Sequence, residues 1–166
     1  PMSAALLGDA ASVSALVASL RRRAGDLEVR ADETDAAHAA AAAGWIGRVA
    51  VGHRRRVDAV TAASRGAAAR MRELADALDD FAAALGEAQH DLRRASDEAR
   101  SHGLVVQDGQ VLPGWGISGE ADGSADAERA ETAERLGRRL QRSAVLLERR
   151  RAALAHRAEE VSRWLP

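Results

Sequence analysis

The residues with the widest chemical reach in this chain of 166 are five histidines: His38, His53, His90, His102 and His156. An imidazole can ligate a metal, carry a proton or activate a nucleophile, but each role needs a second group held beside it. No His-x-x-x-His pair of the kind metal sites use is present. There is no cysteine, which removes thiolate ligands, thiol chemistry and disulfides together. His90 and Asp91 are neighbours and therefore point in different directions on a helix. His38 falls on a helical seam and reads as a satisfied core or edge histidine rather than a ligand. No Gly-x-Ser-x-Gly elbow occurs, and a chain without lysine cannot carry a Gly-x-x-x-x-Gly-Lys phosphate loop. Carboxylates are plentiful but alternate with polar or basic partners at helical spacing, as in Asp97–Ser101, Glu131–Arg135 and Glu134–Arg138. These read as solvated helix faces. The expectation is a protein that is not an enzyme, with no metal and no cofactor.

The arginine runs Arg21–Arg23, Arg54–Arg56 and Arg149–Arg151 have the composition of nucleic-acid patches. Three successive residues on a helix spread around its circumference, however, and acidic residues surround them. With a net charge of −1 there is no global field to draw in a polyanion. The runs read as exposed faces, with no nucleic acid as partner. No apolar run of eighteen residues is present, so no membrane span is expected. The start lacks a basic segment followed by an apolar core, so a Sec signal peptide is not expected. Pro1 ahead of Met2 reads as a remnant of tag cleavage. Every basic residue is Arg, a bias of GC-rich genomes such as those of actinobacteria.

Trp45 stands apart. It lies in Gly44-Trp45-Ile46-Gly47, between two long heptad patterns. Asp9 is placed to cap the first. Its seam is Val13, Val17, Leu20, Ala24, Leu27, Ala31, Thr34, His38 and Ala41, in alternating steps of four and three. Gly44 suits a left-handed cap, and Gly47 lets the chain turn back. The second pattern runs from near Gly47 to about His102. Its stripe is Val57, Val60, Ser64, Ala67, Met71, Leu74, Leu78, Phe81, Leu85, Ala88, Leu92, Ala95 and Ala99. Such a helix exceeds ~70 Å at 1.5 Å per residue. Two helices joined by so short a corner form an antiparallel hairpin.

Beyond Gly103, short runs rich in Val and Leu flank Asp108-Gly109, the signature of a two-residue β-turn. Residues 104–113 are therefore expected as a β-arm and 114–123 as a glycine-rich loop whose Trp115 folds back. A third helix is expected over 124–165, with Leu140, Leu147, Leu154 and Val161 seven apart and Leu136, Ala144, Ala158 and Leu165 widening the stripe. The whole predicts an all-α fold: one elongated antiparallel bundle of three long helices with a small β-hairpin arm, a single domain over 1–166.

Gly44-Trp45-Ile46-Gly47, its flanking seams, and the run from Phe81 to Leu85 ahead of Ala88-Gln89 resemble the WxG-type helical hairpins of the early secreted antigen family, substrates of bacterial type VII secretion. The resemblance covers about residues 9–103. With the β-arm, the chain looks like the N-terminal targeting domains of actinobacterial secreted effectors and polymorphic toxins. The resemblance implies synthesis in the cytosol and export, folded, to the envelope or outside by a non-Sec route. It implies a partner as well: a second small helical hairpin or a secretion component, in a homo- or heterodimer. Gly44, Trp45 and Gly47 would then form half of an export signal, with Phe81 on the partner-binding surface. The family's other half-signal is Tyr-x-x-x-Asp/Glu. This chain has no Tyr, and His156 with Glu160 keeps only the spacing of an aromatic ring and an acid. Either a partner supplies the Tyr motif, or the chain is truncated, or it is not secreted by itself. The third helix would fill in cis the groove that a partner hairpin fills in trans. Two other readings are a cytoplasmic structural or adaptor bundle, in which Trp45 staples the hairpin, and the leading domain of a larger toxin whose catalytic part is absent.

Overall fold

A computed structural model describes residues 8–114 and 123–163. It is an all-α bundle with a small β-arm, as the patterning predicts. The order is α1 (Ala10–Ala41), α2 (Arg48–Ser101), β1 (Leu104–Gln107), β2 (Gln110–Pro113) and α3 (Gly123–Ser162). Asp9 caps α1: its Oδ1 accepts the Ala11 N–H at 3.0 Å. Trp115 and most of the glycine-rich loop lie outside the described residues, as do Trp164 and Leu165. Packing divides the chain into two compact units.

One unit comprises Ser12–Asp79 with the end of the chain from His156. Here α1 runs antiparallel to the first half of α2. Val17, Ala24 and Ala31 are buried on α1, and Thr61, Ala68 and Ala75 on α2, each set seven apart. Side chains this small let two helix backbones approach closely. Ion pairs flank the seam and mark its register. Arg21 reaches Asp76 at 2.8 Å and Asp79 at 3.0 Å. Arg72 grips Glu28 with both guanidinium nitrogens. Arg65 reaches Asp32 at 2.7 Å and Asp35 at 2.6 Å. These pairs are largely solvated, so they favour one register more than they add stability.

The buried stripe departs from the expected one in two places. On α1, Thr34 and Ala41 are exposed, and Asp35 and Ala42 turn inward instead. A helix of 3.6 residues per turn drifts by about 20° per heptad, and here the drift is absorbed by an extra step of four. On α2, Val60 is exposed and Thr61 is buried; Ala68 and Ala75 likewise lie deeper than Ala67 and Leu74. The smaller residue of each adjacent pair, or the equal one, faces the partner helix.

The other unit comprises the first eleven residues with Asp80–Ala155. Leucines of α3 fill spaces between alanines of α2. Leu147 packs with Ala84, Leu85 and Ala88, and Phe81 and Ala10 lie against them. Leu136 and Leu140 pack with Ala95, Ala99 and Leu104. The β-hairpin is anchored here through Leu104, Val106 and Val111. Its turn has positive φ at both Asp108 (51°) and Gly109 (80°), as a type I′ turn requires. Arg135, read from the sequence as a partner of Glu131, crosses to Glu98 at 2.7 Å. Asp91 accepts the Ser143 hydroxyl at 2.5 Å and the Arg139 Nε–H at 3.0 Å.

The Ser143 hydroxyl, with the Arg139 guanidinium second, holds the Asp91 carboxyl below its ordinary value. Folding therefore favours the ionised form. The contribution is complete above the unfolded value of about 3.9 and is lost as pH falls through the lower folded value. Asp91→Asn is expected to cost about 1 kcal/mol at pH 7, read as a lower urea midpoint. The difference from the parent should shrink below about pH 4; a gap that stays constant with pH would contradict the assignment. In the first unit, Ala24 is wholly buried. Ala24→Leu overfills the seam and is expected to cost about 1–3 kcal/mol, whereas Leu at exposed Ala37 should leave the urea midpoint unchanged.

Candidate functional site: the helix corner

α1 ends where its hydrogen-bond ladder tightens. The Ala42 N–H bonds the His38 carbonyl at 2.8 Å, and the Trp45 N–H turns back to the Ala42 carbonyl at 3.0 Å. Gly44 follows with φ +86°, and Gly47 has φ +97° before the Val51 N–H opens α2 by bonding to its carbonyl at 3.2 Å. A Cβ at either glycine would meet nothing within 4 Å. Backbone conformation, not space, demands glycine at both positions.

Between these glycines lie Trp45 and Ile46, the second of them the most exposed large apolar side chain among the described residues. Ile46 is 93% exposed and Trp45 51%, and Val49 on the first turn of α2 is 82% exposed. Trp45 is not wholly free, because its ring lies edge-on to His53 with centroids 5.7 Å apart. His53 in turn stacks with His38 across the hairpin, at 4.9 Å and a tilt of 34°. The His38 Nε2 is buried with no hydrogen-bond partner. The sequence reading of His38 as a satisfied seam residue thus holds for its ring and fails for this nitrogen.

Beneath the corner runs an open groove of about 800 Å³. Ala39, Ala42 and Ala43 supply small side chains to its wall, and Asp35, His38, Arg54, Asp58 and Arg65 supply its polar groups. The Arg65 hydrogen bond holds the Asp35 carboxyl below its usual range. Sequence reasoning named His53 only among the histidines and Arg54 only in an arginine run, placed neither at the corner, and missed Asp58. One signal could have placed His53 there. His38 lies seven residues before Trp45 and His53 eight after it, so an antiparallel hairpin must bring them level.

The other expected site residues lie elsewhere. Phe81 belongs to the other unit, half-buried against its alanine and leucine core. His156 and Glu160 form their own contact, Nε2 to Oε1 at 3.5 Å, on the last turns of α3. Their neighbour Arg157 reaches Glu73 on α2 at 3.4 Å. Glu73 is about 40 Å along α2 from Gly47, so the His156–Glu160 pair is not part of the corner. Glu87 and His90 have the Glu-x-x-His spacing, but both are exposed. Among the described residues no three His, Asp or Glu side chains gather where they could hold a metal ion. No described helix is long and apolar enough to cross a membrane.

No protein-family model matches the chain, and neither a curated protein nor a solved structure matches it.

Replacing either corner glycine tests the backbone argument. Gly47→Ala and Gly44→Ala are each expected to cost about 1 kcal/mol or somewhat more, seen as a lower melting temperature. D-alanine at the same positions should restore or exceed the parent value, because its favoured φ is positive.

Proposed function

We propose that this protein is a type VII secretion-associated targeting domain. It acts by helix-to-helix partner binding and performs no chemistry of its own. It is made in the cytosol and leaves by a non-Sec route, with the Gly44-Trp45-Ile46-Gly47 corner as part of its export signal. One observation carries this reading: two glycines with positive φ frame an exposed tryptophan and isoleucine at the end of a helical hairpin. Burial of large side chains is the ordinary reward of folding, and these two are left mostly in water, available to a partner. The partner is a second small helical hairpin or a component of the secretion apparatus. In this reading the missing tyrosine half-signal comes from that partner, and the His156–Glu160 pair keeps only its spacing.

The edge-on contact of Trp45 with His53 supports a second reading. In that case Trp45 staples the hairpin of a cytoplasmic adaptor bundle, and its loss is felt in stability alone. The two readings part at one substitution. Under the secretion reading, Trp45→Ala retains the helical circular dichroism of the parent and abolishes export from a host carrying the secretion system. Normal export of Trp45→Ala with a lowered melting temperature would establish the staple and remove the signal.

A further inference from the structure

The corner carries a charge pattern that the fold does not use. Between residues 36 and 60 the chain has four arginines, Arg48, Arg54, Arg55 and Arg56, and one carboxylate, Asp58. Among the described residues, none of the four arginine side chains takes part in an ion pair or hydrogen bond. Elsewhere in the same unit Arg21, Arg65 and Arg72 each reach across to a carboxylate on the other helix. The contrast is sharper because of where the four sit. α2 has no acidic residue in its first turn. Cations near a helix N-terminus oppose its dipole, so Arg48 works against the helix that bears it.

The second observation is the orphaned His38 Nε2, buried at the edge of the same groove with no hydrogen-bond partner. Arg54 lines that groove as well. Of the two acids that line the groove, Asp35 is already held by Arg65, and Asp58, one turn from Arg54 on α2, makes no ion pair with it. The groove thus offers an unpaired guanidinium, over small alanine side chains and with the buried imidazole nitrogen behind its wall, beside the exposed Trp45 and Ile46. On α1 it is lined at residues 35, 38 and 42, and on α2 at 54, 58, 61 and 65. Both sets repeat at three- and four-residue steps, so the groove follows the helix axes for about two turns.

We infer that the helix corner docks an acidic helical segment of a partner protein. The segment places a carboxylate against Arg54, beside the His38 ring, and its apolar side chains on Trp45, Ile46 and Val49. Arg48, Arg55 and Arg56 meet the remaining acids of that segment. This inference rests on the reading of the corner as a docking element and adds the chemistry of what docks there. Charge pairing of this kind favours encounter and selects the partner, and it weakens as salt rises.

The test uses the full chain, labelled with ¹⁵N, and two synthetic helical peptides of Leu and Ala, one with Glu at its polar positions and one with Gln. The Glu peptide is expected to shift the Trp45 indole and His38 imidazole signals, with an affinity that falls as salt is raised. The Gln peptide should bind about tenfold or more weakly. Reversal of Arg54, Arg55 and Arg56 to Glu should abolish the shift while leaving the melting temperature unchanged, since these side chains are exposed and unpaired. Equal binding of the two peptides, or none by either, overturns the inference. So does a response confined to phosphatidylglycerol vesicles, which would make the surface one for anionic lipid. Export experiments separate the two levels. Glu-peptide binding with normal Trp45→Ala export leaves the acidic partner standing and removes the secretion signal. Export lost without peptide binding does the reverse.

Discussion

Ala24, Ala31, Ala68 and Ala75 place only methyl groups between α1 and α2 along the middle of a seam that Val17 and Thr61 complete, and the first unit depends on that close approach. Two helices separated by leucines would tolerate rotation and sliding. Two helices separated by methyl groups do not, because a shift of one residue would drive a larger side chain, such as Leu27 or Leu74, into the seam. The ion pairs Arg21–Asp76, Arg72–Glu28 and Arg65–Asp35 lie beside this seam and suit one register only. Their energies are small in solvent, but each would be lost by a slip. The second unit solves the same problem differently. Leu136, Leu140 and Leu147 of α3 enter spaces between alanines of α2, a large-into-small packing with a leucine-lined core.

The corner follows from the same constraint. Helices packed this closely must be joined by a chain that reverses within a few residues. Glycines at 44 and 47 make that possible by accepting positive φ, and the residues between them are turned out of the fold. Trp45 and Ile46 are exposed because of the geometry of the reversal. Their exposure therefore costs the fold no core, and a functional surface can sit there without weakening the seam. His38 and His53 close the end of the hairpin beneath Trp45. Their stacking brings a buried, unsatisfied imidazole nitrogen to the edge of an open groove.

Much of this was legible in the residues alone. The heptad steps of α1 and α2, the cap at Asp9 and the Gly-Trp-Ile-Gly break follow from periodicity and from the backbone preferences of single residues. So does the Asp108-Gly109 turn, where both residues take the positive φ that a type I′ hairpin needs. The corner was legible as a corner. Its groove was not, because Arg54 reads locally as one of a run of three arginines, Asp58 carries no signature, and both become neighbours of His38 only when the hairpin closes.

Sequence by itself determined the number, kind and limits of the helices and the place where the chain reverses, since these rest on short-range conformational preference and on repeats read along one strand. Only the tertiary structure decided which of two adjacent stripes is buried and whom each arginine meets. Hydropathy favours Val60 over Thr61 and Leu74 over Ala75, yet Thr61 and Ala75 lie in the seam. Where backbones come this close, volume outweighs hydrophobicity. The same holds for Arg135, which has an acid one turn away at Glu131 and reaches instead to Glu98 on α2. A helix offers each charge several partners within its own turns, and the packing of a second helix selects among them.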